Sequence, residues 1–563
     1  MTNLCRTAGC LHFTEQVRCV LHCSEVAGLL GSPTPLGPLL RRMTVLITRV
    51  ELNVAALIGL LLLAAGLVVH PAWASETQPP PETPLSNKPS PAVIERTDQP
   101  EEVPEGPPEH RVQRIIFSDD ALVRARQSQL HFDQLLRVPE WLHLGVDFRT
   151  RYEAYSQPVK KNETTGGAQF SERTAAQIGI HYKGFRLFGE FLDTRPLYNY
   201  AVTVSSKMED RTDLLQLYGS LGTDNFLGSG LPTELQIGKF TQDFGRRRLI
   251  ARTQYNNVPY SFVGAHWTLG NIKDWHIRAF VMRPIQNQQE SPDSFNTHTL
   301  FSGISYLDQR LPWLHTQVYF YYITQNKPAL QSNGINEDQS THGEVPSLYS
   351  PGFRLFQPEM KGRFNYEIES VYQFGRSALQ PGGPQLTTFA FLQHVEVGYT
   401  FALPWSPALH VKYDYASGDA NPNDNRNGRF NTLFGANNFE FSHTGIWGLF
   451  KRSNLSSPGY VLSVEPQEGV RASFKHRFYW LAQSKDQFEG TGLQDPTGRA
   501  GNYLGSELDV RLSWAVSSNL LLEAGWVYLV KGSYYSNLLN QAIAGAPNDK
   551  NTDYVFLSMR LFF

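Results

Sequence analysis

The chain is predicted to be all-β, a single transmembrane antiparallel β-barrel of eighteen strands preceded by a signal peptide and a disordered proline-rich linker. Three observations lead there. In the closing segment Thr552-Asp-Tyr-Val-Phe-Leu-Ser-Met-Arg-Leu-Phe-Phe563, Val555, Leu557, Met559, Leu561 and Phe563 fall on one face. Ser558 and Arg560 fall on the other, because strand side chains alternate sides; in a barrel the apolar face meets lipid and the polar face the lumen. Aromatic residues make up 12% of the chain, with 25 Tyr, 34 Phe and 10 Trp, as suits the interfacial girdles of such barrels. Mean hydropathy is −0.33, which excludes a helical membrane protein.

The one long apolar run, Val54–Val69, is shorter than a spanning helix needs and leads into Ala72-Trp73-Ala74, a small-x-small cleavage pattern. Residues 43–74 therefore read as a signal peptide cut after Ala74, with an uncleaved anchor as the alternative. Residues 1–42 fit no signal-peptide grammar and read as a non-native extension, with Met43 as the start. Cys5, Cys10, Cys19 and Cys23 all lie in that stretch, at spacings that make no zinc site. A cysteine-free mature chain suits passage through an oxidising periplasm.

Residues 75–110 are rich in proline and glutamate and read as a disordered periplasmic linker. Residues 111–140 form a lead-in with a short helical piece over 119–136. From Trp141 onward the pattern is strands, and residues 141–563 form the barrel. The strands are placed at 142–155, 173–182, 185–198, 213–221, 232–242, 257–269, 274–284, 299–307, 313–324, 349–357, 363–374, 387–401, 407–416, 441–450, 470–481, 504–515, 520–530 and 552–563. Short turns follow the even strands and long segments the odd ones, which puts the start of the first strand and the end of the last in the periplasm. The segment Lys451–Gly469 breaks that alternation. It is either an occluding turn or the sign of a misplaced fourteenth strand.

Alternation also assigns faces. In the first strand Val146, Phe148, Thr150 and Tyr152 point one way, and Asp147, Arg149, Arg151 and Glu153 the other. An Arg or Lys facing lipid at the midplane costs about 2–4 kcal/mol, so the charged face is the lumen. The same logic places Arg173, Arg186, Arg278, Arg363, Lys412, Arg471, Arg511 and Arg560 inside, together with Glu190, Glu367, Glu369, Glu396, Asp414, Glu507, Asp509 and Glu523. An eighteen-stranded barrel is wide enough for an aqueous channel. Its basic groups suit an anionic solute, although neutralisation of neighbouring carboxylates would also explain them.

The net charge of −2 comes with no basic arm, so no nucleic-acid partner is expected. No nucleophile elbow, phosphate loop or zinc-protease motif stands out, so neither an enzyme nor a cofactor is expected. In the loop Ala416–Phe434, Asp419, Asn421 and Asn423 alternate faintly like a calcium loop. The acidic twelfth position is occupied by Phe430, which favours a hydrogen-bonded loop over a metal site.

Several segments resemble the alginate export porin family. They are Phe148-Arg-Thr-Arg-Tyr-Glu153, Leu235-Gln-Ile-Gly-Lys-Phe-Thr-Gln-Asp-Phe-Gly-Arg-Arg-Arg-Leu249, and Tyr413-Asp-Tyr-Ala-Ser-Gly-Asp419 followed by Asn431-Thr-Leu-Phe434. Lys239 stands where the family more often has arginine. The resemblance covers residues 141–563 and implies an eighteen-stranded porin in the outer membrane of a Gram-negative bacterium. Such a porin passively exports an anionic exopolysaccharide through an arginine-lined lumen gated by loops. By position it implies that Arg149, Arg151, Arg173, Arg246, Arg247 and Arg248 line the path. The partners implied are outer-membrane lipid, the polysaccharide, periplasmic secretion proteins, and the barrel-assembly machinery through Phe563; the barrel is implied to be a monomer. The alternative is an uptake porin for small anionic nutrients.

Overall fold

Alternating apolar and polar residues from Leu142 onward build one sheet that curls until its last strand meets its first. The computed structural model describes residues 138–253, 255–325, 345–379, 382–441, 443, 445–517 and 519–563. The signal peptide, the proline-rich linker and the helical lead-in expected at 43–136 lie outside the described residues.

Eighteen antiparallel strands close the barrel. They are β1 (Leu142–Tyr155), β2 (Gly167–Tyr182), β3 (Phe185–Tyr200), β4 (Asp210–Thr223), β5 (Thr233–Phe240) and β6 (Phe262–Asn271). Next come β7 (Trp275–Gln286), β8 (Thr299–Leu311), β9 (Leu314–Gln325), β10 (Ser347–Gln357), β11 (Arg363–Ser377) and β12 (Leu386–Thr400). The last six are β13 (Ala408–Ala416), β14 (Leu455–Gln467), β15 (Val470–Trp480), β16 (Tyr503–Ser517), β17 (Leu520–Lys531) and β18 (Thr552–Phe562). Each pairs with its sequence neighbour. Closure comes from β1 against β18, where Arg149 faces Arg560 and Tyr155 faces Tyr554. A closed barrel leaves no unpaired edge, as a membrane interior requires.

The outer surface is apolar. Phe185, Phe191, Leu217, Ile237, Val281, Ile304, Phe364, Phe389, Val397, Val411, Leu462, Leu512 and Leu557 are all exposed on strands, a band far larger than a soluble monomer leaves bare. The predicted faces hold on β1, where Arg149, Arg151 and Glu153 are buried and Tyr152 is exposed.

The fourteenth strand is a correction. Segment 441–450 is not a strand of the wall. Its Phe441, Ile446, Trp447, Leu449 and Phe450 are buried in an apolar cluster with Tyr479, Tyr534 and Tyr554. The wall strand is β14, which pairs with both β13 and β15. The expected occluding turn at 451–469 therefore disappears, since only residues 468–469 join β14 to β15. The physical reason is ambiguity of apolarity. Residues 441–450 are apolar because they pack inside the lumen, whereas β14 opens with Leu455-Ser456-Ser457-Pro458-Gly459, a poor strand signature. A smaller correction concerns β6, which begins at Phe262 rather than at 257, because residues 257–261 belong to an inward loop.

Candidate functional site

The lumen is occupied by two loops that fold inward from the same end of the barrel: residues 241–261, after β5, and residues 417–454, after β13. They pair with each other. Ala251 donates to the Phe434 carbonyl (3.0 Å), Phe434 to that of Leu249 (2.9 Å), and Ala436 to that of Arg247 (2.9 Å). Gly435 permits this approach, since a Cβ there would overlap the Arg248 carbonyl. Phe244, Leu249, Ile250, Phe430, Leu433 and Phe434 then pack against Phe240, Phe262, Phe280, Phe301 and Tyr321 of the wall. A water-filled loop has no use for that many buried rings; they make the pairing an apolar plug.

Arginines tie the plug to the wall. Arg247 adopts a left-handed backbone (φ 61°), uncommon for a residue with a side chain. Arg246 and Arg247 reach over the Phe439 ring at 5.9 and 5.1 Å, and Arg246 also lies 3.4 Å from Glu367. Arg248, 1% exposed, bonds Glu367, Glu369 and Glu440 together. Glu440 also takes Arg452 at 2.6 Å. Burial alone would raise the Glu440 carboxyl, but Arg248 and Arg452 hold it well below the usual carboxylate range. Arg354 closes on Glu367 at 3.0 Å. Between Arg246, Arg354, Glu359, Asn365, Glu367 and Glu396 lies a hollow.

On the opposite wall a second arginine group gathers around β1. Register sets Arg149 opposite Arg173 of β2 and Arg560 of β18. Asp147 accepts from Arg560 at 2.8 Å and from Arg173 at 3.2 Å. Arg149 donates to Asn257 Oδ1 (2.7 Å) and to the Asn256 carbonyl (3.2 Å) of the inward loop. Arg151 bonds Glu153 at 2.9 Å and the Tyr255 carbonyl at 2.5 Å, and lies 4.1 Å over the Tyr255 ring.

The remaining expected residues are scattered. Arg186 meets Glu234 at 3.2 Å, Lys412 meets Glu396 at 2.8 Å, and Arg511 bonds Glu523. Arg278 lies 3.7 Å over the Phe244 ring and donates to the Asp243 carbonyl (2.7 Å), Gln242 Oε1 (2.5 Å) and His266 (3.1 Å). Arg471 faces Ser513 in register and is half-buried. Arg363 is exposed at the short-turn end. In the Asp419 loop the Gly428 amide donates to Asp419 Oδ1 (3.0 Å), and the Asn423 amide to Asn421 Oδ1 (3.3 Å). The Asp419 amide donates to Asp486 (2.8 Å), which also holds Arg429.

Sequence reasoning did not single out Glu440, Arg452, Arg429, Asp486 or Tyr255. Of these, Glu440, Arg429 and Asp486 tie loops to one another, Arg452 braces Glu440, and Tyr255 ties its loop to the wall. The signal available was the density of aromatic and aliphatic residues between Phe430 and Phe450.

A family model for alginate export matches residues 140–543. The chain belongs to the alginate export family. With its closed barrel and apolar outer band it is an outer-membrane porin of Gram-negative bacteria, a channel rather than an enzyme. No curated protein matches the chain. Among solved structures, Acinetobacter baumannii OccAB2 is similar at 13% identity and a TM-score of 0.48, over 75% of this chain and 98% of that one. Pseudomonas aeruginosa OccD3 (OpdP) is similar at 11% identity and a TM-score of 0.47, over 75% and 91% respectively.

Proposed function

We propose that this porin is a passive conduit through which a carboxylate-bearing exopolysaccharide of the alginate kind leaves the cell. The observation that carries the reading is the row Arg173, Arg149 and Arg560, set side by side on β2, β1 and β18 around Asp147. Guanidiniums stay charged and fork onto carboxylates, so such a row lowers the barrier for a polyanion. Under this reading the short turns face the periplasm, where secretion proteins deliver the polymer, and the long loops face outward. Arg149 and Arg151 hold the inward loop through Tyr255, Asn256 and Asn257. An arriving carboxylate competes for those guanidiniums and frees the loop.

The filled lumen favours a second reading, uptake of small anionic nutrients. Vesicle flux with oligouronates of increasing length separates the two, since passage of long chains supports export and passage of monomers alone supports uptake. In planar bilayers, replacing Arg149, Arg151 and Arg173 together by alanine should lower anion-over-cation permeability. Unchanged selectivity would remove the arginine mechanism.

A further inference from the structure

Away from the arginine groups, at the long-loop end of the barrel, three carboxylates converge. Asp210 opens β4 and Asp213 follows on the same strand, while Asp293 lies in the loop after β7. One oxygen from each lies within 4.8 Å of the others. Two oxygens that both lie about 2.4 Å from one calcium ion can be at most about 4.8 Å apart. The spacing therefore lets all three carboxylates share one hard cation.

Charge is out of balance there. Lys239 bonds Asp213 at 2.7 Å and Asp293 at 3.1 Å, one ammonium for two carboxylates. Asp210 is 1% exposed, and neither of its oxygens accepts a hydrogen bond from a described residue. A buried carboxylate left in that state is strongly disfavoured unless a cation or a proton joins it. Asp193, the next acid in range, is already held by Arg195 at 2.7 Å and supplies more negative charge.

We propose that Asp210, Asp213 and Asp293 form a divalent-cation site, with Asp210 as the principal ligand and calcium as the preferred ion. All three donors are carboxylate oxygens, the donor set of hard cations rather than the nitrogen and sulfur set that zinc prefers. Three carboxylates drawn from a strand and a loop suit the adaptable, oxygen-rich shell of calcium better than magnesium, which keeps several of its waters and demands a near-ideal octahedron. The ion would pin the loop to the wall, next to the contact in which the Arg211 amide donates to the Gln289 carbonyl (3.1 Å).

The test is calcium titration of the whole folded barrel in detergent, after chelator dialysis, by isothermal calorimetry. One site per chain is expected, with magnesium binding at least tenfold more weakly. Asp210→Asn should weaken calcium binding at least tenfold, and Asp293→Asn serves if that variant fails to fold. Lys239→Met, which removes the competing ammonium, should tighten it. Calcium uptake that is absent from the folded wild type, or unchanged in both aspartate variants, overturns the proposal. So does an infrared band of protonated carboxyl that Asp210→Asn abolishes and calcium leaves untouched.

Discussion

The Tyr255 hydroxyl, on the loop that follows β5, lies 2.8 Å from the Tyr554 hydroxyl on the closing strand. Tyr554 in turn donates to Glu153 at 2.8 Å, and Glu153 accepts from Arg151, whose guanidinium lies over the Tyr255 ring. A loop, the first strand and the last strand thus meet in one closed hydrogen-bonded circuit at the barrel seam.

Removing the hydroxyl alone, in Tyr255→Phe, should cost about 1 kcal/mol, the worth of one hydrogen bond. Removing the ring in Tyr255→Ala also strips the face on which Arg151 rests and the edge contact to Phe556. Single-channel recordings should then show higher conductance for the alanine variant and near wild-type conductance for phenylalanine.

Arg248→Met leaves Glu367, Glu369 and Glu440 without their shared cation. Breaking a buried ion pair from one side costs about 3–5 kcal/mol, and the remaining Arg354 and Arg452 recover part of it. Guanidinium unfolding of the refolded barrel measures the loss. Adding Glu440→Gln to Arg248→Met should restore some stability, because it removes one of the orphaned charges.

Gly435→Ala attacks the pairing of the two loops. The added methyl collides with the Arg248 carbonyl, so the plug should come apart while the wall stays closed. Limited proteolysis should then cut within residues 417–454, with heat-modifiable gel migration unchanged.

Acid should loosen the plug through two groups. Glu440 is held below its unfolded value of about 4.3, so its stabilisation is complete above that pH and is lost as pH falls toward the folded value. Burial lowers His443, although Asp509 opposes the shift. Its neutral folded form therefore becomes a liability below the unfolded value of about 6.5. Conductance should rise as pH falls from 7 toward 5 through His443 and rise again only below about pH 4.3 through Glu440; Glu440→Gln should flatten the second rise and leave the first in place.

The wall was legible in the sequence because lipid tolerates only one side-chain arrangement. Alternation on β1 and β18 assigned Arg149, Arg151 and Arg560 to one face; Arg149 and Arg151 are buried, and Arg560 is half-buried against Asp147. The lumen was legible in residue type but not in partnership. Nothing in a linear pattern says that Arg248 meets Glu367, Glu369 and Glu440, since a loop has no period to fix its direction. Fourteenth-strand placement failed for a related reason. Phe441 to Phe450 carries the apolarity of a lipid face and spends it on Tyr479, Tyr534 and Tyr554 instead.

The joined loops have a consequence for how current should look. Residues 241–261 spring from β5 and residues 417–454 from β13, from separate parts of the wall, yet Leu249, Ala251, Phe434 and Ala436 bind them backbone to backbone. Neither can swing aside without stripping hydrogen bonds from its partner, so withdrawal of one loop alone costs the pairing as well as its wall contacts, whereas joint withdrawal costs the wall contacts only. Recorded openings should therefore arrive as abrupt, full-height jumps between two levels, with few intermediate plateaus, as expected of two hands that must let go at once.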